Sequence, residues 1–286
     1  MNDRQTPPAY LTPNWSDEKL LFRPFIDASR PGLITDVDGV ISPIVLVPEE
    51  AQVTERSREL LTALSKHLAL AGVISGRGAG DVHQRVGIEG LEYVGNHGLE
   101  RWGGSQIEVS PSVMPYRPGL EAMMHELKKH QAAQPDLLRD MQIEDKGATV
   151  TVHYRRTANP ESVRDYLDPV LTELATREQI ALFPGRMIFE LRPPIPMNKG
   201  TAFEALVKQH QLDAALYIGD DTTDADAMRV ARTLRTAGDC YAVGVGVLSE
   251  DTPSVVLEAA DVFATGISDV ESFFDWLLNQ FNASTS

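Results

Sequence analysis

Cysteine is all but absent from this 286-residue chain: the single Cys240 rules out an internal disulfide and any zinc or iron–sulfur site built on several cysteines. It fits a reducing compartment. Long apolar runs are missing too. No stretch approaches the ~18 residues of a membrane span, and the N-terminus is polar and Pro-rich where a signal peptide would carry an apolar segment, so a cytoplasmic protein without a membrane partner is expected. Basic charge is scarce: 26 Lys and Arg stand against 41 Asp and Glu, a net charge of −15, which repels nucleic-acid phosphates and excludes nucleic acid as the expected partner. The seven histidines are scattered without metal-ligand spacing, and no nucleophile-elbow motif anchors a Ser-His-Asp triad. GRGAGD at 76–81 lacks the third glycine of a dinucleotide fingerprint, and NKGT at 198–201 lacks the preceding glycines of a P-loop. What remains is 42% hydrophobic residues, enough at this length for one large or two modest cores.

Residues 1–30 mix prolines and a few aromatics without a sustained period and read as an N-terminal tail or surface strap. From Gly32 short apolar runs alternate with helical stretches: GLITDVD, helix 54–67, LALAGVIS, helix 78–86, EYVGNH. The rhythm resumes after Lys199 with helix 200–211, AALYIGDD, helix 222–235, CYAVGVGV, helix 253–260, DVFA and helix 267–280. Segments 31–111 and 197–286 therefore share one α/β core with a parallel sheet. Between them, 112–196 reads as helix 117–133, strands MQIED and ATVTVHYR, helix 160–178, and strands IALFPG and MIFELRP. That is an α+β cap domain inserted between the Pro-containing stretches PSVMPYRPG and RPPIPM.

Four places in the core carry chemistry. Asp36 and Asp38 stand two apart where the strand LITDVD stops at Gly39, at the carboxyl end where an open α/β sheet forms its ligand crevice; Asp-x-Asp-Gly is also an ordinary turn. A second strand ends at Ser75 in VISGRG, where a hydroxyl and backbone N–H groups at Gly76 and Arg77 open a helix and offer an anion site. Lys199 begins another helix, where its charge adds to the positive dipole end; a solvated surface lysine is the bland alternative. In YIGDDTTDADAM, Asp220, Asp221 and Asp224 crowd one strand-to-helix turn. Three carboxylates so close repel unless a cation sits among them, and oxygen-only donors suit a hard ion, most simply Mg²⁺.

Taken in order, the Asp pair, the Ser, the Lys and the acidic cluster resemble the four motifs of the haloacid dehalogenase superfamily. Together with YVGNHGLE, MQIEDKGATVTVHYRR, MIFELRPP, KGTA and GDDTTDADA they are similar to the trehalose-6-phosphate phosphatases over about 32–280. The resemblance implies a Rossmann-like core of this superfamily. Asp36 to Ser75 spans 39 residues and Ser75 to Lys199 spans 124, so the cap lies between motifs two and three, the C2 type common among sugar phosphatases.

By the same resemblance Asp36 is the nucleophile, Asp38 the general acid and then base, and Ser75 and Lys199 hold the phosphoryl group. Gly76 and Arg77 bind substrate in the same turn. Asp36, the Asp38 main-chain carbonyl and Asp220 ligate Mg²⁺, while Asp221 and Asp224 hold waters or orient the loop. Glu144, Lys146, Arg155, Arg186 and Glu190 of the cap match sugar-gripping positions, with surface salt bridging as the plain alternative for each; His97 in GNHG is either a core histidine bonded to backbone or a site residue. The substrate implied is trehalose 6-phosphate, released as trehalose and phosphate, with sucrose 6-phosphate or a glycosyl phosphoglycerate as the competing sugar phosphates and an inactive binding protein as the competing class. A functional pairing with a trehalose-6-phosphate synthase is compatible with it. Val40 stands where the family often has Thr, and Ala225 and Met228 where it has Glu and Phe; altered packing is the expected consequence.

Overall fold

A computed structural model describes residues 12–45, 51–185 and 187–284. In chain order its strands are β1 (Pro31–Thr35), β2 (Leu70–Ile74), β3 (Glu92–Gly95), β4 (Glu100–Trp102), β5 (Ile107–Val109), β6 (Gln142–Asp145), β7 (Val150–His153), β8 (Ala181–Gly185), β9 (Ile188–Arg192), β10 (Ala214–Gly219), β11 (Tyr241–Leu248) and β12 (Val262–Thr265). The α-helices are α1 (Arg23–Ile26), α2 (Glu55–Leu64), α3 (Ala79–Val86), α4 (Arg117–Ala133), α5 (Pro160–Glu178), α6 (Lys199–Gln209), α7 (Thr222–Ala237), α8 (Ser254–Ala259) and α9 (Gly266–Ser284). None of these helices is long and apolar enough to cross a membrane. Two compact units result. One combines the described residues up to Gln106 with those from Met197 onward; the other is Ile107–Pro196.

In the first unit, strands that read as unbroken apolar runs are buried on both faces, as parallel strands covered by helices must be. Every residue of β1, β2 and β10 is buried. The sheet of this unit runs β12-β11-β10-β1-β2-β3-β4, with parallel pairing from β12 through β3. On one face α2, α3 and α9 bring Leu60, Leu61, Val82, Phe273 and Phe274; on the other α6 and α7 bring Phe203, Leu206, Met228 and Leu234. At its β3 end the parallel sheet continues antiparallel, Val94 and Gly95 of β3 pairing with Arg101 and Glu100 of β4. One expectation needs correction: the described residues of 1–30 are not a surface tail, since Trp15, Phe22 and Phe25 are buried in the core. Backbone bonds tie Pro13 and Trp15 to Phe263 at the β12 edge, and Asp269 accepts from the Trp15 indole at 3.0 Å. Burial of three aromatic rings outweighs the lack of any regular period, which is why pattern alone gave no hint of it.

The second unit has an antiparallel sheet of order β6-β7-β9-β8. Alternation sorts its residues: Val150, Val152, Phe189 and Leu191 join a core with Leu120, Met123 and Leu127 of α4 and Val163, Leu167 and Leu171 of α5. The intervening residues form the opposite face. There the register aligns Glu144, Thr151, Glu190 and Phe183 in one row across all four strands.

Candidate active site

Parallel strands end together, so whatever follows β1, β2 and β10 shares one edge of the sheet. Thr35 pairs with Val73 and Ile218, and the Asp36 amide donates to the Ile218 carbonyl at 2.9 Å, which seats Asp36 between its neighbours' ends. Two glycines let the acids close up. Gly39 has φ +80°, and a Cβ there would lie 2.0 Å from Asp220 Oδ2; a Cβ on Gly219 would lie 2.3 Å from the Asp224 carboxylate carbon. The Asp-x-Asp-Gly turn is thus a turn shaped around the acid cluster.

Carboxylate oxygens of Asp36, Asp220 and Asp224 lie within 4.8 Å of one another, a grouping that can hold a metal ion. Lys199 is buried beside them, its Nζ 2.8 Å from Asp36 Oδ2 and 2.7 Å from Asp224 Oδ1, so the surface reading of this lysine is excluded. A capping box fixes it there: the Asn198 side chain accepts from the Thr201 amide while Thr201 Oγ1 accepts from the Asn198 amide, setting Lys199 as the first residue of α6. Asp224 plays a different part. Its Oδ1 also accepts from the Tyr217 hydroxyl at 2.6 Å, and its Oδ2 accepts from the Asp220 and Asp221 amides at 3.2 and 3.0 Å. With four donors on two oxygens, it has little capacity left for an ion. Asp36 and Asp220 are the carboxylates left to face one, and Asp221 caps α7 by accepting from the Thr222 amide at 2.6 Å. Tyr217 went unrecognised from sequence because a tyrosine inside an apolar strand reads as core.

The electrostatics fit a hard divalent ion. Burial pushes Asp36 up to about 7; Lys199 opposes this, and Asp224 reinforces it. Burial, then repulsion from Asp36 and Asp224, pushes Asp220 up to about 8. Burial alone would lower Lys199, but Asp224 and Asp36 hold it above the ordinary lysine value. One lysine among three carboxylates leaves net negative charge, and oxygen donors without nitrogen or sulfur suit Mg²⁺ better than a soft metal. Because Asp36 and Asp220 bind protons more tightly folded than at the ordinary carboxylate value of 3.8, the folded state's advantage is full below that value and is lost as pH rises through about 7 and 8. Chelator-treated protein should therefore melt lower at pH 8 than at pH 5.5, and added Mg²⁺ should raise the melting temperature more at pH 8. A Mg²⁺ shift that is equal or smaller at pH 8 would remove the assignment of the ion to these acids.

Ser75 follows β2 and is buried. Its amide donates to Val94, its carbonyl accepts from the His97 amide at 3.0 Å, and its Oγ accepts from the Arg77 amide at 3.2 Å. Asn96 and His97 both occupy the left-handed region, φ 48° and 56°, a strained pair that turns the chain back over the Ser75 loop. The His97 ring packs on Gly76, where a Cβ would lie 2.8 Å from it, so His97 braces this turn. Arg77 donates to Asp38 through Nε at 2.6 Å and Nη2 at 2.9 Å.

In the antiparallel unit, Glu144 and Glu190 share one row of the polar sheet face, half-exposed and buried respectively. Lys146 Nζ lies 4.0 Å from Glu144 Oε2, and His153 Nε2 lies 2.8 Å from it. Glu190 is paired with Arg192, whose guanidinium lies over the Phe183 ring at 5.0 Å. Arg155 sits in the exposed turn beyond β7. Arg186 lies outside the described residues. Val40, Ala225 and Met228 are fully buried; Met228 packs against Gly244 of β11, so these departures from the family pattern fall in packing positions.

Comparison with known proteins agrees with this geometry. Residues 34–255 match the family described as Trehalose-phosphatase. The chain is 30% identical over 240 residues to a probable trehalose-phosphate phosphatase 3 of Oryza sativa subsp. japonica, covering 76% of this chain and 62% of that one. It is 31% identical over 255 residues to a trehalose-phosphate phosphatase of Mycobacterium tuberculosis, covering 83% and 62%. The chain thus spans about three fifths of the length of these relatives. Among solved structures, the C-terminal domain of a Candida albicans trehalose-6-phosphate phosphatase superposes with TM-score 0.73 at 20% identity, covering 94% of this chain and 99% of that domain. A haloacid dehalogenase-like hydrolase from Bacteroides thetaiotaomicron gives 0.58 at 17%, covering 87% and 100%; these two likenesses carry the fold.

Proposed function

The chain belongs to the trehalose-phosphatase family, and from that membership we propose that it is a Mg²⁺-dependent phosphatase hydrolysing trehalose 6-phosphate to trehalose and phosphate. The observation that carries the reaction type is the set of buried Asp36, Lys199 and Asp224 with partly buried Asp220, gathered beyond the ends of β1 and β10. Asp36 attacks phosphorus as an ionised carboxylate, the bond to the sugar oxygen breaks, and an aspartyl phosphate forms. Asp38 gives its proton to the departing oxygen, then takes one from the water that cleaves the acyl phosphate, so the cycle ends with the proton back on Asp38. Lys199 holds Asp36 in place and, with the Ser75 loop, faces the phosphoryl charge. Asp36, Asp220 and the Asp38 main-chain carbonyl would hold Mg²⁺, which when bound would supply positive charge to offset the phosphate dianion.

Phosphate release from trehalose 6-phosphate, sucrose 6-phosphate, a glycosyl phosphoglycerate and a small aryl phosphate tests the substrate. A clear kcat/KM preference for trehalose 6-phosphate supports the reading, and a preference for another member replaces it. Glu144, Lys146, Arg155, Arg186 and Glu190 are the proposed sugar-reading residues. Glu144→Ala or Lys146→Ala should lower kcat/KM for trehalose 6-phosphate by roughly 10- to 100-fold, the loss of one charged hydrogen bond of about 1.5 to 3 kcal/mol. A small aryl phosphate, lacking the sugar hydroxyls, should lose far less. Equal losses on both would assign these residues to general support of the fold.

A further inference from the structure

We propose that Arg77, braced by Asp81 and Arg85, is a positioning residue that sets the orientation of Asp38, and that it is not a phosphate ligand. This rests on the reading of Asp38 as the acid and base of a phosphatase. Arg77 meets Asp38 side-on: Nε lies 2.6 Å from Oδ2 and Nη2 lies 2.9 Å from Oδ1, so both oxygens are gripped and the carboxylate plane is fixed. Each oxygen keeps a second lone pair beyond the one that accepts from Arg77. Arg77 is itself held. Its Nη1 lies 3.3 Å from Asp81 Oδ2, and its amide donates to Ser75 Oγ at 3.2 Å. Arg85 Nε lies 2.8 Å from both Asp81 oxygens, and Arg85 Nη1 donates to the Ala51 carbonyl at 2.6 Å.

The result is a line of alternating charge, Asp38, Arg77, Asp81, Arg85, running along the first turns of α3. Asp81 and Arg85 stand four apart on one helix face, so the last link is local and cheap to maintain, and Arg77 one turn before Asp81 completes the row. Arg77 and Arg85 are only 17% and 15% exposed, which restricts their rotamers and makes the line stiffer than a surface ion pair. The logic is that of a catalytic base aimed by a third group, with the arginine in the aiming position. The sequence places Arg77 with Gly76 in the turn after Ser75, where backbone N–H groups at a helix start offer an anion site. Here two of its donors face Asp38 and a third faces Asp81.

An acid matters only when the leaving oxygen needs a proton, which separates positioning from binding. A sugar alkoxide is a poor leaving group, whereas a nitrophenolate leaves without help. Arg77→Lys and Asp81→Asn should be compared with the native enzyme on an alkyl sugar phosphate and on p-nitrophenyl phosphate. Arg77→Lys is expected to lower kcat on the alkyl ester by about 10²-fold and on the aryl ester by less than about 10-fold, with a steeper dependence on phenol pKa across substituted aryl phosphates. Asp81→Asn should act in the same direction with a smaller loss. In an Asp38→Asn background, Arg77→Lys should change the alkyl-to-aryl ratio no further. Inorganic phosphate inhibition should shift by less than about threefold, since Arg77 is not among the groups that hold the phosphate.

Equal losses on both esters, or a raised phosphate inhibition constant with an unchanged ratio, would overturn the proposal in favour of phosphate binding. A lowered melting temperature with an unchanged ratio would overturn it in favour of a structural brace. A native enzyme inactive on both esters would instead overturn the phosphatase reading itself.

Discussion

Asp36→Asn should abolish turnover, by at least about 10⁴-fold, because a neutral amide cannot attack phosphorus and no other carboxylate is free to replace it. Asp224 is engaged by Lys199, Tyr217 and two amides, Asp38 is held by Arg77, and Asp220 faces the proposed ion. The fold should not suffer. Asp36 is buried and its pKa is pushed up to about 7, so an ionised carboxylate is disfavoured there when no cation is present. The amide removes that charge while Lys199 keeps its 2.7 Å contact to Asp224. In chelator at pH 8, Asp36→Asn should therefore melt no lower than the native protein, and its Mg²⁺-induced rise in melting temperature should shrink. Phosphate release and a thermal melt on the same preparation check both halves. A variant keeping more than about 1% of native turnover would mean that another residue attacks; a variant that unfolds in chelator would mean that Asp36 is chiefly a structural partner of Lys199.

The motifs at Asp36, Ser75 and Asp220 were legible because each follows a strand that is a buried apolar run, as in GLITDVD and AALYIGDD; parallel strands covered on both faces leave no polar alternation to blur them. The antiparallel sheet was legible for the opposite reason, since ATVTVHYR alternates between a face packed on α4 and α5 and a polar one. What escaped has physical causes too. β4 and β5 are three residues each, shorter than any period can register. Trp15, Phe22 and Phe25 reach the core from irregular turns, so their burial is decided by α9, some 250 residues later in the chain. The Arg77–Asp38 pair joins residues 39 apart through a geometry that no spacing encodes. Tyr217 looked like one more apolar strand position, and only the Asp224 oxygen at 2.6 Å gives its hydroxyl a purpose.

Lys199→Met should injure both stability and activity, and the two losses should part company when Mg²⁺ is added. Lys199 is 2% exposed and the only basic partner given to Asp36 and Asp224 among the described residues. Removing one member of a buried ion cluster leaves its partners uncompensated, which costs about 3 to 5 kcal/mol. The cost should grow with pH: Lys199 lowers the pKa of Asp36 and of Asp220, so without it both acids hold their protons to still higher pH, and the folded state loses more when they are forced to ionise. The gap in melting temperature between native and Lys199→Met in chelator should therefore be wider at pH 8 than at pH 5.5. A divalent cation placed among the acids can restore the charge balance, and Mg²⁺ should recover much of the lost stability. Turnover should stay down by about 10³-fold even then, because the lysine also acts on charge that accumulates as the phosphoryl group transfers, at a point fixed by the start of α6. Recovery of both together would reduce Lys199 to a counter-ion. Unchanged stability in chelator would mean that Asp36 holds a proton rather than the lysine's charge, and the electrostatic account of the site would fall with it.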